Sequence, residues 1–268
     1  MVATLTSGQS RRVRICGKNF SQYGWSNSKK NELKPHLKKY WCIRAINAMF
    51  LAKMERILEI YNRPYDPDYP VVCYDERPCF LIGDVVEGLS MKSGQVAREH
   101  YAYEKNGSCS VLAMIEPKTG KRFSQTRRYR RKIEFAKFMK RLAQLYPNAV
   151  KIIVVLDNLN THNESAFYEH FSAEQAAQLM DRFEFVYTPK TASWLNMIEI
   201  EFSALSRQCL NRRIPTITEL SNEVVAYFKE RSEKEVKITW QFTRQEARKK
   251  MNRRYSEVNP LNKKFKKT

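Results

Sequence analysis

Glycine is scarce in this chain, with 8 in 268 residues. No unit recurs at a period of roughly 20 to 50 residues, which excludes solenoids and propellers. No apolar run approaches the roughly 18 residues of a membrane span. The opening MVATLTSGQSRR has no apolar core of the kind a secretory signal needs. These absences lead to the expectation of a cytoplasmic protein with no membrane partner. The six cysteines (Cys16, Cys42, Cys73, Cys79, Cys109 and Cys209) form no CxxC and no Cys/His pair at zinc spacing, so they read as buried, reduced thiols. Acids are also in short supply, 28 Asp+Glu against 48 Lys+Arg, leaving a net charge of +20.

A soluble chain this basic is expected to bind a polyanion, because each neutralised phosphate releases condensed counterions. The charge is clustered. Residues 11–53 carry eleven Lys/Arg and one acid, Glu32; TRRYRRK (126–132) places Arg127, Arg128, Arg130 and Arg131 around Tyr129; residues 244–268 carry ten Lys/Arg and two acids. Three basic blocks suit contacts along an extended nucleic acid, without saying which sequence is read. With 43% apolar and 12% aromatic residues the chain can build a real core, as one large domain with small appendages.

Residues 1–30 are polar and basic and read as a poorly ordered arm. Ile43, Ile46, Phe50, Met54, Ile57, Leu58 and Tyr61 recur at helical spacing, so a long amphipathic helix is predicted from Lys34 to Tyr61. NRPYDPDYP (62–70) breaks it with three prolines and serves as a linker. VVCYDE (71–76) is predicted as a short strand ending in acids, with further short strands and turns over 79–107. Residues 110–126 read as a hairpin around Pro-Lys-Thr-Gly, and 133–146 as a helix. KIIVVLD (151–157) is the strongest strand, apolar throughout as in strands buried on both faces. A short helix over 163–171, a strand over 183–189, a helix carrying Leu195, Ile198, Phe202, Leu205 and Cys209, and a helix over 219–234 follow. The order β-β-β-α-β-α-β-α predicts an α/β fold, a mixed sheet with helices on its faces.

Two carboxylates fall at strand ends, Asp75 after VVCY and Asp157 after IIVVL. Ligand crevices in α/β sheets lie beyond the carboxyl ends of the strands, although either aspartate alone also suits a turn. Such a crevice suits Mg²⁺ or Mn²⁺, hard ions that take one or two carboxylates each. Two ions serving a phosphoryl displacement call for a third acid. Glu199 and Glu201 both qualify, since each lies about 80° from the centre of the helix's apolar stripe, on opposite sides. Asn196-x-x-Glu199 also reads as a capping box.

The segments VVCYDERP, VVLDNLNTH and YTPKTASWLNMIEIEFSALSRQCL resemble, in order, the three signatures of DDE transposases of bacterial insertion sequences. More narrowly, they are similar to the six-thirty family within the mariner superfamily. NELKPHLKKYWCI, EIYNRPYDPDYPVV, YAYEKNGSCSV and ITWQFTRQEARKKMNRRY extend the resemblance from about Asn31 to Tyr255. It implies an RNase H-like five-stranded sheet with a helical N-terminal extension. It places the family's acids on Asp75, Asp157 and Glu199, with Glu201 as the alternative, and completes the second motif with Asn158 and His162. The third motif lacks the family's proline, and 41 residues (199 − 157 − 1) separate its acid from Asp157. The resemblance further implies two Mg²⁺ or Mn²⁺ ions held by the three acids, water cutting at transposon ends, and a freed 3′-hydroxyl attacking target DNA. His162, Lys190, Trp194 and Arg207 join the arginines of TRRYRRK as expected DNA contacts. The expected partners are transposon-end and target DNA, with a homodimer assembled on it at the nucleoid. Residues 31–69 then correspond to the end of a helix-turn-helix region and its linker, with most of that region missing. Residues 70–235 correspond to the catalytic domain, and 236–268 to a basic tail.

Overall fold

The computed structural model describes residues 46–262 apart from Asn160; the expected arm and residues 34–45 of the first predicted helix lie outside the described residues, and within them that helix starts only at Ala48, because Asn47 is an extended N-cap. Helix α1 (Ala48–Asn62) opens on Asn47, whose side chain accepts a hydrogen bond from the Phe50 backbone N–H. Strands β1 (Val71–Asp84), β2 (Tyr103–Ile115) and β3 (Arg122–Arg127) follow, then α2 (Lys132–Leu145) and β4 (Ile152–Leu156). Helices α3 (Ser165–His170) and α4 (Ala173–Arg182) lead to β5 (Phe183–Tyr187). A 3₁₀ turn (Ser193–Leu195) precedes α5 (Ile198–Gln208), α6 (Ile217–Glu233), α7 (Arg244–Lys250) and α8 (Asn252–Val258).

The sheet runs β3-β2-β1-β4-β5. The first three strands form an antiparallel meander, and β4 and β5 add in parallel, so the expected mixed five-stranded sheet is present. Side chains alternate across it. Val72, Tyr74, Leu112, Met114, Ile152, Val154 and Leu156 bury one face against α2, α3 and α4. Cys73, Val111, Ala113, Ile115, Ile153 and Val155 bury the other against α1, α5 and α6. All five residues of β4 are buried, as its unbroken apolar run requires.

Three elements differ from the sequence reading. β1 does not end at its acids but continues to Asp84, paired to β2 from Cys73 onward. Its pairing with β4 stops at Cys73, so at Pro78 that edge has no partner strand and the proline removes no ladder hydrogen bond. The second difference is α4, which occupies the stretch left unassigned between the helix predicted over 163–171 and the strand over 183–189; Ser172 caps it by accepting the Gln175 backbone N–H. Third, the segment expected as a basic tail is helical and docked. Glu55 on α1 receives both Arg248, at 2.8 and 2.7 Å, and the Tyr255 hydroxyl, at 2.5 Å.

The β2–β3 hairpin turns at Gly120, with φ +83°; a Cβ there would stand 2.9 Å from the carbonyl carbon of Glu235. Only glycine lets the end of α6 pack on this turn.

Candidate active site

The sheet topology brings the three acids to one place. Asp75 lies two residues past the last β1–β4 pair, Asp157 directly follows β4, and Glu199 lies in the first turn of α5. By strand alternation Asp75 shares the α5-side face with Cys73, and Asp157 follows Val155 on that side. Asn196 ties two of these limbs together. Its side-chain amide donates to the Tyr74 carbonyl at 2.8 Å, while its side-chain oxygen accepts from Ile198 N at 3.4 Å. The predicted capping box is therefore not what this asparagine makes; it anchors the start of α5 to the strand just before Asp75.

Burial pushes the Asp75 carboxyl up to about 7, against a restraining hydrogen bond from the Glu76 backbone N–H at 2.7 Å. The negative charges of Asp157 and Glu199 push it further in the same direction. Burial likewise raises Glu199, opposed by the nearby positive charge of Arg77 and reinforced by Asp157. The three carboxylates thus lie within electrostatic reach of one another. Among the described residues, no group of three His, Cys, Asp or Glu side chains stands close enough together to hold a metal ion.

Glu201 points elsewhere. It is fully buried and bound by Arg122 at 2.9 and 2.8 Å and by Arg231 at 3.0 and 3.1 Å.

His162, expected among the DNA contacts, has no exposed surface and cannot touch a phosphate in this arrangement. Its ring stacks on Phe135. Nδ1 lies 2.5 Å from Asp157 Oδ1, and Nε2 lies 3.3 Å from Glu76 Oε1. Burial alone would lower this imidazole, but the contacts to Asp157 and Glu76 win and hold it at about 9. Glu76 is buried on the opposite face of β1 from Asp75 and pairs with Arg130 at 3.4 Å. That pair draws the TRRYRRK loop to the end of the sheet that carries the acids. Arg128, Arg130, Arg131 and Lys190 are exposed there, Arg127 partly so. Arg131 is engaged by Glu134 at 2.8 Å in capping α2. Trp194 is 41% exposed and meets Phe242 edge-on, combining packing with an open face. Arg207 is set apart, at the far end of α5, in a cleft with Arg212, Glu223 and Tyr227.

Sequence reasoning did not single out Glu76 or Arg77. The only signal for either was adjacency to Asp75, which alternation sends to opposite faces of the strand.

These shifts give the metal-free protein a pH dependence of definite sign. Asp75 and His162 both hold a proton more tightly when folded. The Asp75 contribution to stability is complete below about 4 and is lost as pH rises through about 7; the His162 contribution is complete below about 6.5 and is lost through about 9. For Asp75 the loss is bounded at roughly 4 kcal/mol. In urea unfolding with chelator present, stability is expected to fall between pH 5 and 8, and Asp75→Asn should flatten that fall. An unchanged slope in the variant would mean that Asp75 is not disfavoured by its surroundings.

The DDE superfamily endonuclease family matches residues 70–221, more than half of the chain. Among solved structures, the chain is similar to the Mos1 transposase paired-end complex with the left transposon end, at 14% identity and a TM-score of 0.52. That match covers 92% of this chain and 72% of that one. The mariner Mos1 paired-end complex with Mg is similar at 13% identity and a TM-score of 0.51, over 92% and 72% of the two chains. The corresponding complex with Mn is similar at 14% and 0.50, over 82% and 72%. At such identities these likenesses speak for the fold, the RNase H-like α/β sheet. No curated protein matches the chain. Since the family match spans β1 through the first turns of α6 and includes all three acids, this chain belongs to the DDE superfamily endonucleases.

Proposed function

We propose that this chain is the catalytic domain of a DNA transposase of the insertion-sequence six-thirty family, with residues 70–235 as its catalytic unit and Asp75, Asp157 and Glu199 as its metal-holding acids. One observation supports this reading: three carboxylates from separate elements lie at one sheet end within electrostatic reach of one another, in a chain of net charge +20. Folding gains nothing from their mutual repulsion unless cations relieve it. All-oxygen donors fit Mg²⁺ or Mn²⁺, which keep water and phosphate oxygens in their remaining positions and so need no closed protein cage. Two such ions supply activation of the attacking oxygen and stabilisation of the leaving one. The Mos1 paired-end complexes of similar fold include ones with Mg and with Mn.

The chain's own residues then divide the remaining work. His162, fixed between Asp157 and Glu76 and stacked on Phe135, sets the orientation of the Asp157 carboxylate. Arg127, Arg128, Arg130, Arg131 and Lys190 track DNA phosphates beside the acids, and the exposed face of Trp194 offers a stacking surface. Arg207 extends the basic track along α5. Transposon ends and target DNA are the substrates, held by a homodimer.

The test is a strand-transfer assay with pre-cut DNA ends in Mn²⁺. Joining of the free 3′-hydroxyl to a target plasmid is expected. Hydrolysis of DNA without joining would make this chain a nuclease of the same fold instead.

A further inference from the structure

We propose that the Arg77 guanidinium binds a non-bridging oxygen of the DNA phosphate that the three acids serve. This rests on the reading of those acids as the catalytic centre and adds a phosphate ligand to it.

The placement follows from the strand. Arg77 is two residues beyond Asp75 on β1, so alternation puts both side chains on the same face. Cys73 and Cys79, which flank them at the same parity, both pack into the core on the α5 side, fixing which face that is. Glu199 opens α5 on that side, and the Arg77 charge reaches it. Arg77 is half-buried with its side chain beside the Cys79 thiol, its Nε is buried with no hydrogen-bond partner, and among the described residues its guanidinium makes no ion pair.

The other core arginines are different. Arg122 is bound to Glu201 and to the carbonyls of Gly120 and Val236, and Arg213 to Asp84 and to the carbonyls of His100 and Ala102. A buried donor without a protein partner is unfavourable and calls for a water, an ion or a ligand to complete it. If Arg77 served only as counter-ion to the acids, it would close onto Glu199. It does not. A planar guanidinium with several donors matches phosphate oxygens, and its charge complements the negative charge that builds up during an in-line displacement.

Two measurements on the whole chain test the assignment. In the first, supercoiled-plasmid nicking is followed across a Mn²⁺ titration. Arg77→Gln should slow nicking by about 100-fold at saturating Mn²⁺ without raising the Mn²⁺ needed for half activation. Arg77→Lys, which keeps the charge but not the fork, should recover about tenfold of it. In the second, binding of a short duplex in Ca²⁺ is followed against salt. The slope of log affinity on log salt should shrink by about one in Arg77→Gln and stay put in Arg77→Lys. An unchanged slope overturns the proposal, as does a nicking loss that excess Mn²⁺ reverses. If Asp75→Ala nicks like the unaltered protein, the catalytic reading itself has failed, and the salt slope still decides whether Arg77 touches phosphate.

Discussion

Asp75→Ala is expected to abolish Mn²⁺-dependent plasmid nicking while leaving the protein folded and, without metal, more stable near neutral pH. The two effects have one cause. Asp75 is buried, facing the charges of Asp157 and Glu199, and its carboxyl is held at about 7. In the absence of cations its ionisation works against folding, so removing it relieves the fold. With cations bound the same charge becomes indispensable. A metal ion contributes several kcal/mol to stabilising a phosphoryl-transfer transition state, and each 1.36 kcal/mol is tenfold in rate, so losing a ligand should slow nicking by about a thousandfold or more. A merely structural aspartate would show the opposite pairing, lower stability with nicking retained. Nicking by the variant at the unaltered rate would reduce this chain to a basic DNA-binding protein with a catalytic fold.

Much of the fold could be read from periodicity because burial imposes it. IIVVL is apolar at every position because β4 lies in the middle of the sheet with helices on both faces. The helical stripe of Phe135, Phe138, Met139, Leu142 and Leu145 on α2 is fully buried at its first four positions and half-buried at Leu145, as its spacing indicates. What failed to register has a physical reason in each case. The outer half of β1 carries Arg77 and Pro78 because its site-facing side and its edge without a partner strand do not demand apolar residues, and Glu76 because His162 and Arg130 pair with it. The apolar residues of α4 do keep to one face, but over only ten residues, of which Ala176 and Leu179 are buried. That helix accounts for much of the long gap between Asp157 and Glu199.

The site was less legible than the sheet. Asp75 and Asp157 stood out by their places on strands, but the partners that hold them are set by tertiary contacts that no local pattern records. His162 illustrates this. A histidine after a DN turn reads equally well as a phosphate ligand or as a support, and only the packing of Phe135 and Tyr74 around its ring withdraws it from solvent. Helical geometry likewise left Glu199 and Glu201 equivalent about the apolar stripe, because it says nothing of which neighbours flank that stripe.

Those two glutamates should separate cleanly on mutation. Glu201 sits between two guanidiniums, with side-chain exposures of 0% for Arg122 and 19% for Arg231, and joins β3, α5 and α6. Neutralising it leaves two arginines facing each other with little access to water, and breaking a buried pair in this way costs about 3–5 kcal/mol. Glu201→Gln should therefore lower the urea midpoint severely. Glu199 is the reverse case. Burial and Asp157 already disfavour its charge, so Glu199→Gln should keep or slightly raise metal-free stability. Its nicking activity should fall as far as that of Asp75→Ala. Equilibrium urea unfolding and plasmid nicking on the two variants decide the matter together. A stable but inactive Glu199→Gln beside an unstable Glu201→Gln supports Glu199 as the third acid. A Glu199→Gln protein that nicks normally would remove it from the centre, and the arginine clamp on Glu201 would then have to open to supply the missing carboxylate.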